Sequence, residues 1–156
     1  MAKEGSFELK VIPSDSHDGG FEDRKYPGCP TYIAADPYKG CAHDCAYCIA
    51  IHTPETPAGV VAVKEDFVTT LKAKLIELQG RGRKAPIYLS PWTDAYQPAE
   101  EKLRITRQVL EMLADMGFPF FIITKSDLVT RDLDIMTREG VQCNVCMSVI
   151  SPHDKL

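Results

Sequence analysis

Three cysteines stand close together in the segment CAHDCAYC, and their thiolates would be strong metal ligands. Cys41, Cys45 and Cys48 follow the spacing C-x3-C-x2-C. Structural zinc sites and ordinary electron-transfer iron–sulfur clusters use four protein ligands, so a set of three leaves one position open. Three thiolates can hold three irons of a [4Fe–4S] cluster, which leaves the fourth iron free to bind a substrate or cofactor. The spacing therefore predicts chemistry at a metal centre.

Zinc is the alternative that the same segment allows. Cys45 and Cys48 are followed by His52, and with Cys41 these residues would complete a Cys3His site. His43 and Cys29 are further candidates for the fourth ligand. Spacing alone does not choose between the two metal centres.

A second pair of cysteines, Cys143 and Cys146, has the spacing C-x2-C but falls within a predicted strand. Side chains alternate along a strand, so a spacing of three places the two thiols on opposite faces. We therefore interpret them as buried strand thiols and not as metal ligands.

Hydrophobic periodicity divides most of the chain into alternating strands and helices. Apolar residues recur at three and four positions between Asp66 and Gly80, for example, which predicts a helix that ends at the glycine. The predicted strands are 31–35, 87–90, 120–124 and 141–150, and the predicted helices are 66–80, 103–117 and a shorter one near 133–140. This order predicts an α/β fold with a parallel sheet.

The chain divides into a lead-in and a core. Residues 1–30 are rich in Gly, Pro, Asp and Ser, which predicts an irregular N-terminal lead-in. Residues 31–156 would form the core.

The polar segments follow the carboxyl ends of the predicted strands. The cysteine segment follows the first strand, SPWTDAYQP the second and Thr124–Ser126 the third, and Ser148 lies near the end of the fourth. Ligands of parallel α/β sheets bind at this edge, so segments that are distant in sequence should meet there.

Composition limits the class of protein. The 156 residues are 44% apolar with a net charge of −4, and no apolar run approaches the ~20 residues that cross a membrane. The N-terminal MAKEGSFELK has no apolar segment typical of a secretory signal, so we expect a cytoplasmic protein with reduced thiols. The acidic balance gives no support for a nucleic-acid partner.

The string DPYKGCAHDCAYC resembles the cluster-binding segment of the radical S-adenosylmethionine enzymes, with the aromatic Tyr47 before the last cysteine. SPWTDAYQPAE and ITKSDLVTRDLD are similar to segments of one branch, the spore-photoproduct-lyase-like or "DNA repair photolyase" proteins. The resemblance runs from about Asp36 to the last residue.

The resemblance implies a lyase-like radical enzyme and a role for each matching residue. Cys41, Cys45 and Cys48 would ligate a [4Fe–4S] cluster whose fourth iron binds the amino and carboxylate groups of S-adenosylmethionine. One electron, from a donor such as flavodoxin or ferredoxin, would cleave the sulfonium bond and yield a 5′-deoxyadenosyl radical. The cofactor would be held by Tyr47, Thr93, Asp94, Lys125 and Ser148, with Asp94 facing its amino group; a turn residue is the alternative for Asp94.

The resemblance also implies a partial (β/α) barrel, typically of six strands, of which about four are readable here. We therefore expect an incomplete version of that fold with an unpaired edge at the fourth strand, and self-association through that edge. Three hypotheses follow: a radical S-adenosylmethionine enzyme of unknown substrate or its cofactor-binding portion, a non-catalytic zinc module, or an inactive fragment that retains the cluster loop.

Overall fold

A computed structural model of the chain describes residues 7–13, 21, 23–24, 31–48 and 59–150. These residues form a mixed α/β fold with two sheets. The strands are β1 (Glu8–Ile12), β2 (Asp23–Arg24), β3 (Tyr32–Ala35), β4 (Tyr38–Lys39), β5 (Val60–Lys64), β6 (Ile87–Leu89), β7 (Phe120–Thr124) and β8 (Cys143–Met147). The helices are α1 (Phe67–Gly80), α2 (Glu100–Leu103), α3 (Ile105–Met116) and α4 (Leu133–Met136), and a 3₁₀ helix at Asp127–Asp132 precedes α4.

The larger sheet has the strand order β2-β3-β6-β7-β8. β3, β6, β7 and β8 are parallel neighbours in chain order, and β2 adds an antiparallel strand beside β3. The predicted α/β class and the four core strands are thereby confirmed. Closure of this sheet into a partial barrel stays a prediction.

One face of the larger sheet carries the apolar core. Ile33, Ile87, Phe120 and Cys143 lie in one row across the four parallel strands. This row packs with apolar side chains of α1, α3 and α4 in one cluster. Parallel crossovers are right-handed, so strands that follow each other in chain order place their helices on the same face. Each fully buried leucine in this cluster contributes about 1.5–3 kcal/mol relative to an exposed one.

The opposite face of this sheet carries aromatic side chains. Tyr32, Tyr88 and Phe121 contact each other, and the rings of Tyr88 and Phe121 are stacked with centroids 4.2 Å apart. The period of two along each strand places this aromatic group on the face opposite the row that contains Ile33 and Ile87.

The predicted helix 103–117 is interrupted near its start. Arg104 has a left-handed backbone (φ 51°), and it separates the short α2 from α3. The carboxylate of Glu100 accepts hydrogen bonds from the backbone N–H groups of Ile105 (3.1 Å) and Thr106 (2.9 Å). These two donors at the start of α3 would otherwise lack partners, so a buried glutamate takes the place of a local cap.

The prediction of an irregular lead-in is wrong for part of residues 1–30. Glu8–Ile12 forms β1, which pairs in parallel with β5, and Asp23–Arg24 forms β2. The pairing of β1 with β5 joins residues that are about fifty positions apart, in register from Glu8 with Val60 to Ile12 with Lys64. Composition could not indicate this, since the stability of β1 depends on a distant partner. β4 completes the smaller sheet on the other side of β5.

β8 lies at the edge of the larger sheet, as predicted. Within the part of the chain that the structure describes, no strand pairs with its outer edge. Val145 and Met147 are exposed, and so are the following residues Val149 and Ile150. The interpretation of the strand cysteines as buried thiols is wrong for Cys146, which is exposed, while Cys143 is partly buried against the core.

The described helices are short. None of them is long and apolar enough to cross a membrane.

Candidate functional site

The segment that carries the three cysteines folds as two consecutive turns. The backbone N–H of Asp44 donates to the carbonyl of Cys41 (3.4 Å), and that of Cys48 donates to the carbonyl of Cys45 (2.9 Å). Gly40 (φ 78°) and Asp44 (φ 48°) have left-handed backbones, which glycine adopts freely and aspartate tolerates better than most residues. All three cysteines of these two turns line one cleft.

A cleft brings the three cysteines together with residues from two other strand ends. It lies beside the segments that follow β3, β6 and β7, and its lining residues are Cys41, His43, Asp44, Cys45, Cys48, Trp92, Thr93, Asp94 and Lys125. The predicted convergence at the carboxyl edge of the sheet is thus observed for these three segments. The cleft is partly open and has a volume of about 30 Å³.

The donor set of this cleft fits an iron–sulfur cluster in its chemistry. Three thiols line the cleft, and soft thiolates are the ligands that hold such clusters. Among the described residues, no three His, Cys, Asp or Glu side chains are grouped closely enough to share a single metal ion. A cubane cluster places its cysteine ligands on separate irons, so it does not need three thiolates around one point.

The electrostatics of the cleft depend on Cys41 and Lys125. Burial raises the pKa of the Cys41 thiol to about 12, with smaller contributions in the same direction from Asp94 and Cys45. A thiol of this kind is protonated at neutral pH, so a metal that binds it must displace the proton. Burial acts to lower the pKa of Lys125, but Tyr47, Cys45, Asp94 and Cys41, in their ionised forms, outweigh burial and raise that pKa. Lys125 is therefore a cation in the same cleft as the thiols.

Asp94 holds the end of β6 to the end of β7. One carboxylate oxygen accepts hydrogen bonds from Thr124 Oγ1 (2.5 Å) and from the backbone N–H of Tyr96 (2.9 Å). The other accepts from the backbone N–H of Lys125 (3.0 Å) and lies 3.4 Å from Nε2 of His43. The contact with His43 is at ion-pair distance but falls short of hydrogen-bond geometry, which leaves that nitrogen without a hydrogen-bond partner among the described residues.

Three hydrogen bonds thus occupy most of the Asp94 carboxylate, which has about four lone-pair sites, and His43 lies against the remaining one. Burial acts to raise its pKa, but His43 and the hydrogen bonds from Thr124, Tyr96 and Lys125 outweigh burial and hold the pKa below its ordinary value. Asp94 is thus an ionised turn residue that is only 3% exposed, and a ligand ammonium would have to take the place of His43 to bind it.

Asp36 joins the cysteine side of the cleft to the segment after β6. Its carboxylate accepts from Thr93 Oγ1 (2.7 Å) and from the backbone N–H groups of Trp92 (3.1 Å) and Tyr38 (3.1 Å). Burial raises its pKa, although these hydrogen bonds and the charge of Lys64 act to lower it. Thr93 is therefore positioned at the cleft by a carboxylate that sequence reasoning did not select.

A second network of polar side chains is buried outside the cleft lining. Glu100 is fully buried and accepts hydrogen bonds from Tyr38 Oη and, at 3.1 Å, from Arg131 Nη2. Asp132 is also fully buried, and its carboxylate accepts from Arg131, Arg107 and Tyr96. The network connects β4, α2, α3 and the 3₁₀ helix. It leaves these buried carboxylates paired, as burial of charge requires.

The remaining predicted site residues lie around or outside the cleft. Tyr47 is 60% exposed, with its ring centroid 5.9 Å from Lys125 Nζ. Ser148 is not among the lining residues; its backbone N–H donates to the carbonyl of Thr124 (2.8 Å) and continues the pairing of β8 with β7. Cys29 and His52, the other ligands considered for zinc, lie outside the described residues.

Sequence reasoning missed the residues that hold the cleft together. Asp36, Gln97 and Glu100 reach across 55 to 62 positions to contact their partners. The one available signal was that all three lie in segments that carry the resemblance.

Comparison with known proteins gives relatives without an assigned activity. No family model matches the chain, and no solved structure matches it. The chain is 34% identical over 119 residues to the uncharacterized protein MJ0683 of Methanocaldococcus jannaschii, covering 73% of this chain and 42% of that protein. It is 30% identical over 128 residues to the uncharacterized protein Rv2578c of Mycobacterium tuberculosis, covering 77% of this chain and 37% of that protein. The chain therefore spans about two fifths of the length of these curated relatives.

Proposed function

We propose that the chain binds a [4Fe–4S] cluster through Cys41, Cys45 and Cys48 and binds S-adenosylmethionine beside it. The chain would then be a radical S-adenosylmethionine enzyme or the cofactor-binding portion of one, on a partial (β/α) barrel. The observation that carries the proposal is the shared cleft, in which three thiols at C-x3-C-x2-C spacing meet Thr93 and Lys125 from two later strand ends. When bound, cluster and cofactor together would supply one-electron cleavage of the sulfonium bond and hydrogen-atom abstraction from a substrate.

The chain's own residues would bind and orient that pair. Lys125 supplies a positive charge that suits the carboxylate of the cofactor, and Thr93 supplies a hydroxyl that Asp36 holds in place. The exposed ring of Tyr47 offers a surface on which the adenine can stack. The three hydrogen bonds to the Asp94 carboxylate support a positioning role, since one of them holds the backbone of Lys125.

Anaerobic reconstitution of the full chain with iron and sulfide tests the proposal. We expect brown protein with about four irons per chain. S-adenosylmethionine should change the EPR spectrum of the reduced cluster, and incubation with a reductant should release 5′-deoxyadenosine. Single Cys→Ser variants at 41, 45 and 48 should lose the cluster, while Cys143→Ser, outside the cleft, should retain it.

Other outcomes of the same experiment identify the rival hypotheses. A colourless protein with one zinc per chain, weakened by His52→Ala, would establish the zinc module instead. A cluster that assembles but releases no 5′-deoxyadenosine would favour an inactive fragment. The substrate is not indicated by this site, and the net charge of −4 gives nucleic acid no support.

A further inference from the structure

The fully buried side chain of Gln97 holds the backbone on both sides of Cys41. Its Oε1 accepts a hydrogen bond from the backbone N–H of Ala42 (3.0 Å), and its Nε2 donates to the carbonyl of Gly40 (3.3 Å). The oxygen and the nitrogen of the amide thus each form a hydrogen bond with a residue that flanks Cys41. A side chain that donates and accepts at once is required here, since one partner is an N–H and the other a carbonyl.

Gln97 is itself held in a rigid segment. Its backbone N–H donates to the carbonyl of Asp94 (3.2 Å), and its carbonyl accepts from the N–H of Glu100 (2.8 Å). Glu100 in turn accepts from the hydroxyl of Tyr38, in the strand that leads into the cysteine loop. The loop and that strand therefore both form hydrogen bonds with the buried segment 97–100. These hydrogen bonds can hold the backbone of Cys41 in place.

The local backbone around Cys41 does not hold the residue in place without these hydrogen bonds from Gln97. Gly40 has a left-handed conformation and no side chain to restrict it, and it immediately precedes Cys41. The local hydrogen bond from Asp44 N–H to the carbonyl of Cys41 is long, at 3.4 Å, whereas the turn that carries Cys45 and Cys48 closes at 2.9 Å. The first turn of the loop thus depends more than the second turn on hydrogen bonds from other segments, such as those from Gln97.

We propose that Gln97 is a positioning residue that presets the backbone of Cys41 for metal binding. The inference rests on the proposed function for the identity of the metal group. The two hydrogen bonds of Gln97, however, are present in the metal-free chain. The inference can therefore be tested with and without the cluster.

The first test is the reactivity of the thiols in the metal-free full chain. Alkylation by N-ethylmaleimide, followed residue by residue with mass spectrometry, compares wild type with Gln97→Leu, which keeps the size of the side chain and removes both hydrogen bonds. We expect Cys41 to react about tenfold faster in the variant, because hydrogen bonds of ordinary strength shift a local opening equilibrium by about this factor. Cys143, which is partly buried in the core, should react at the wild-type rate.

Two further variants serve as controls. Gln108→Leu removes an exposed amide that donates to the carbonyl of Arg104 (3.2 Å), and it should leave the Cys41 rate unchanged. Gln97→Glu keeps an acceptor for Ala42 but can donate to Gly40 only when protonated. At neutral pH this variant should therefore retain one of the two hydrogen bonds, so its Cys41 rate should lie below that of Gln97→Leu.

The second test is the cluster. After anaerobic reconstitution we expect Gln97→Leu to hold less iron than wild type and to change the EPR spectrum of the reduced cluster. Wild-type iron content and spectrum in this variant would overturn the inference. An unchanged Cys41 rate in Gln97→Leu, or a rise shared equally by Cys143, would also overturn it. If wild type itself binds no iron, the proposed function fails, and the alkylation rates alone decide whether Gln97 holds Cys41.

Discussion

Removal of the Glu100 carboxylate should destabilise the fold more than any exposed substitution, because this side chain satisfies four donors at once. It accepts hydrogen bonds from Tyr38, Arg131 and the backbone N–H groups of Ile105 and Thr106. Burial raises its pKa, while the hydrogen bonds from Tyr38, Thr106 and Arg131, together with the charge of Arg131, act to lower it. The substitutions Glu100→Gln and Glu100→Ala separate the effect of charge from the loss of the whole group.

The structure sets the size of each effect. In Glu100→Gln, the amide oxygen can keep Thr106 and Arg131, but the amide nitrogen then faces the N–H of Ile105 and leaves that donor unpaired. An unsatisfied buried donor costs about 1–3 kcal/mol. Glu100→Ala leaves all four donors without their acceptor, and breaking a buried ion pair in this way costs about 3–5 kcal/mol. Arg131 keeps its hydrogen bonds to Asp132 in both variants, so the lower part of each range is expected.

Urea unfolding at pH 7.5, followed by circular dichroism, measures both differences in the free energy of unfolding. Glu101→Gln is the matched control, since this neighbouring glutamate is exposed and its loss should change stability by less than about 0.5 kcal/mol. If Glu100→Gln is as stable as the control while Glu100→Ala is not, Glu100 is protonated in the folded protein and the ionic description is wrong. If both variants match the control, the network does not stabilise the fold.

Three further predictions concern other parts of the chain. Burial acts to raise the pKa of Asp132, but Arg131 and Arg107 hold it below its ordinary value, so its contribution is present above the unfolded pKa of about 3.9 and is lost as the pH falls through the folded pKa. The stability difference between wild type and Asp132→Asn, measured by urea unfolding, should therefore be constant from about pH 8 to 5 and shrink below about pH 4; a difference that grows on acidification would contradict this. Gly117 ends α3 with a left-handed backbone (φ 68°), so Gly117→Ala should lower the free energy of unfolding by about 1–2 kcal/mol, and an unchanged thermal midpoint would exclude strain there. We also propose self-association through the edge of β8; Val145→Lys should lower the apparent mass in sedimentation, and a wild type that is monomeric at every concentration would refute the proposal.

The elements that were predictable from sequence are those whose signal is local. The helix 67–80 shows a regular apolar period and a terminal glycine, and the strands at 87–89 and 120–124 are short apolar runs between turn signals. The smaller sheet was missed, although Val60–Lys64 is rich in β-branched residues. Its partner strands lie far away in sequence, and no periodicity reports such pairing.

The same distinction applies to the site. The three cysteines carry their own signature, and the carboxyl ends of the strands indicated which later segments would meet them. The roles of Asp36 and Gln97 could not be predicted, since each depends on hydrogen bonds to backbone groups more than fifty positions away. Asp94 was selected as a ligand residue, and only the structure reveals that three hydrogen bonds within the protein already occupy most of its carboxylate.

The arrangement of the four parallel strands in chain order bears on how the protein is made. Each of these strands lies beside the one synthesised before it, so the sheet can grow from β3 as the nascent chain lengthens. The residues that line the cleft end at Lys125, and β8 begins only at Cys143. All the residues that line the cleft are therefore translated before β8, and a ligand bound there would stabilise the folded sheet through the segments after β3, β6 and β7 without contacting β8.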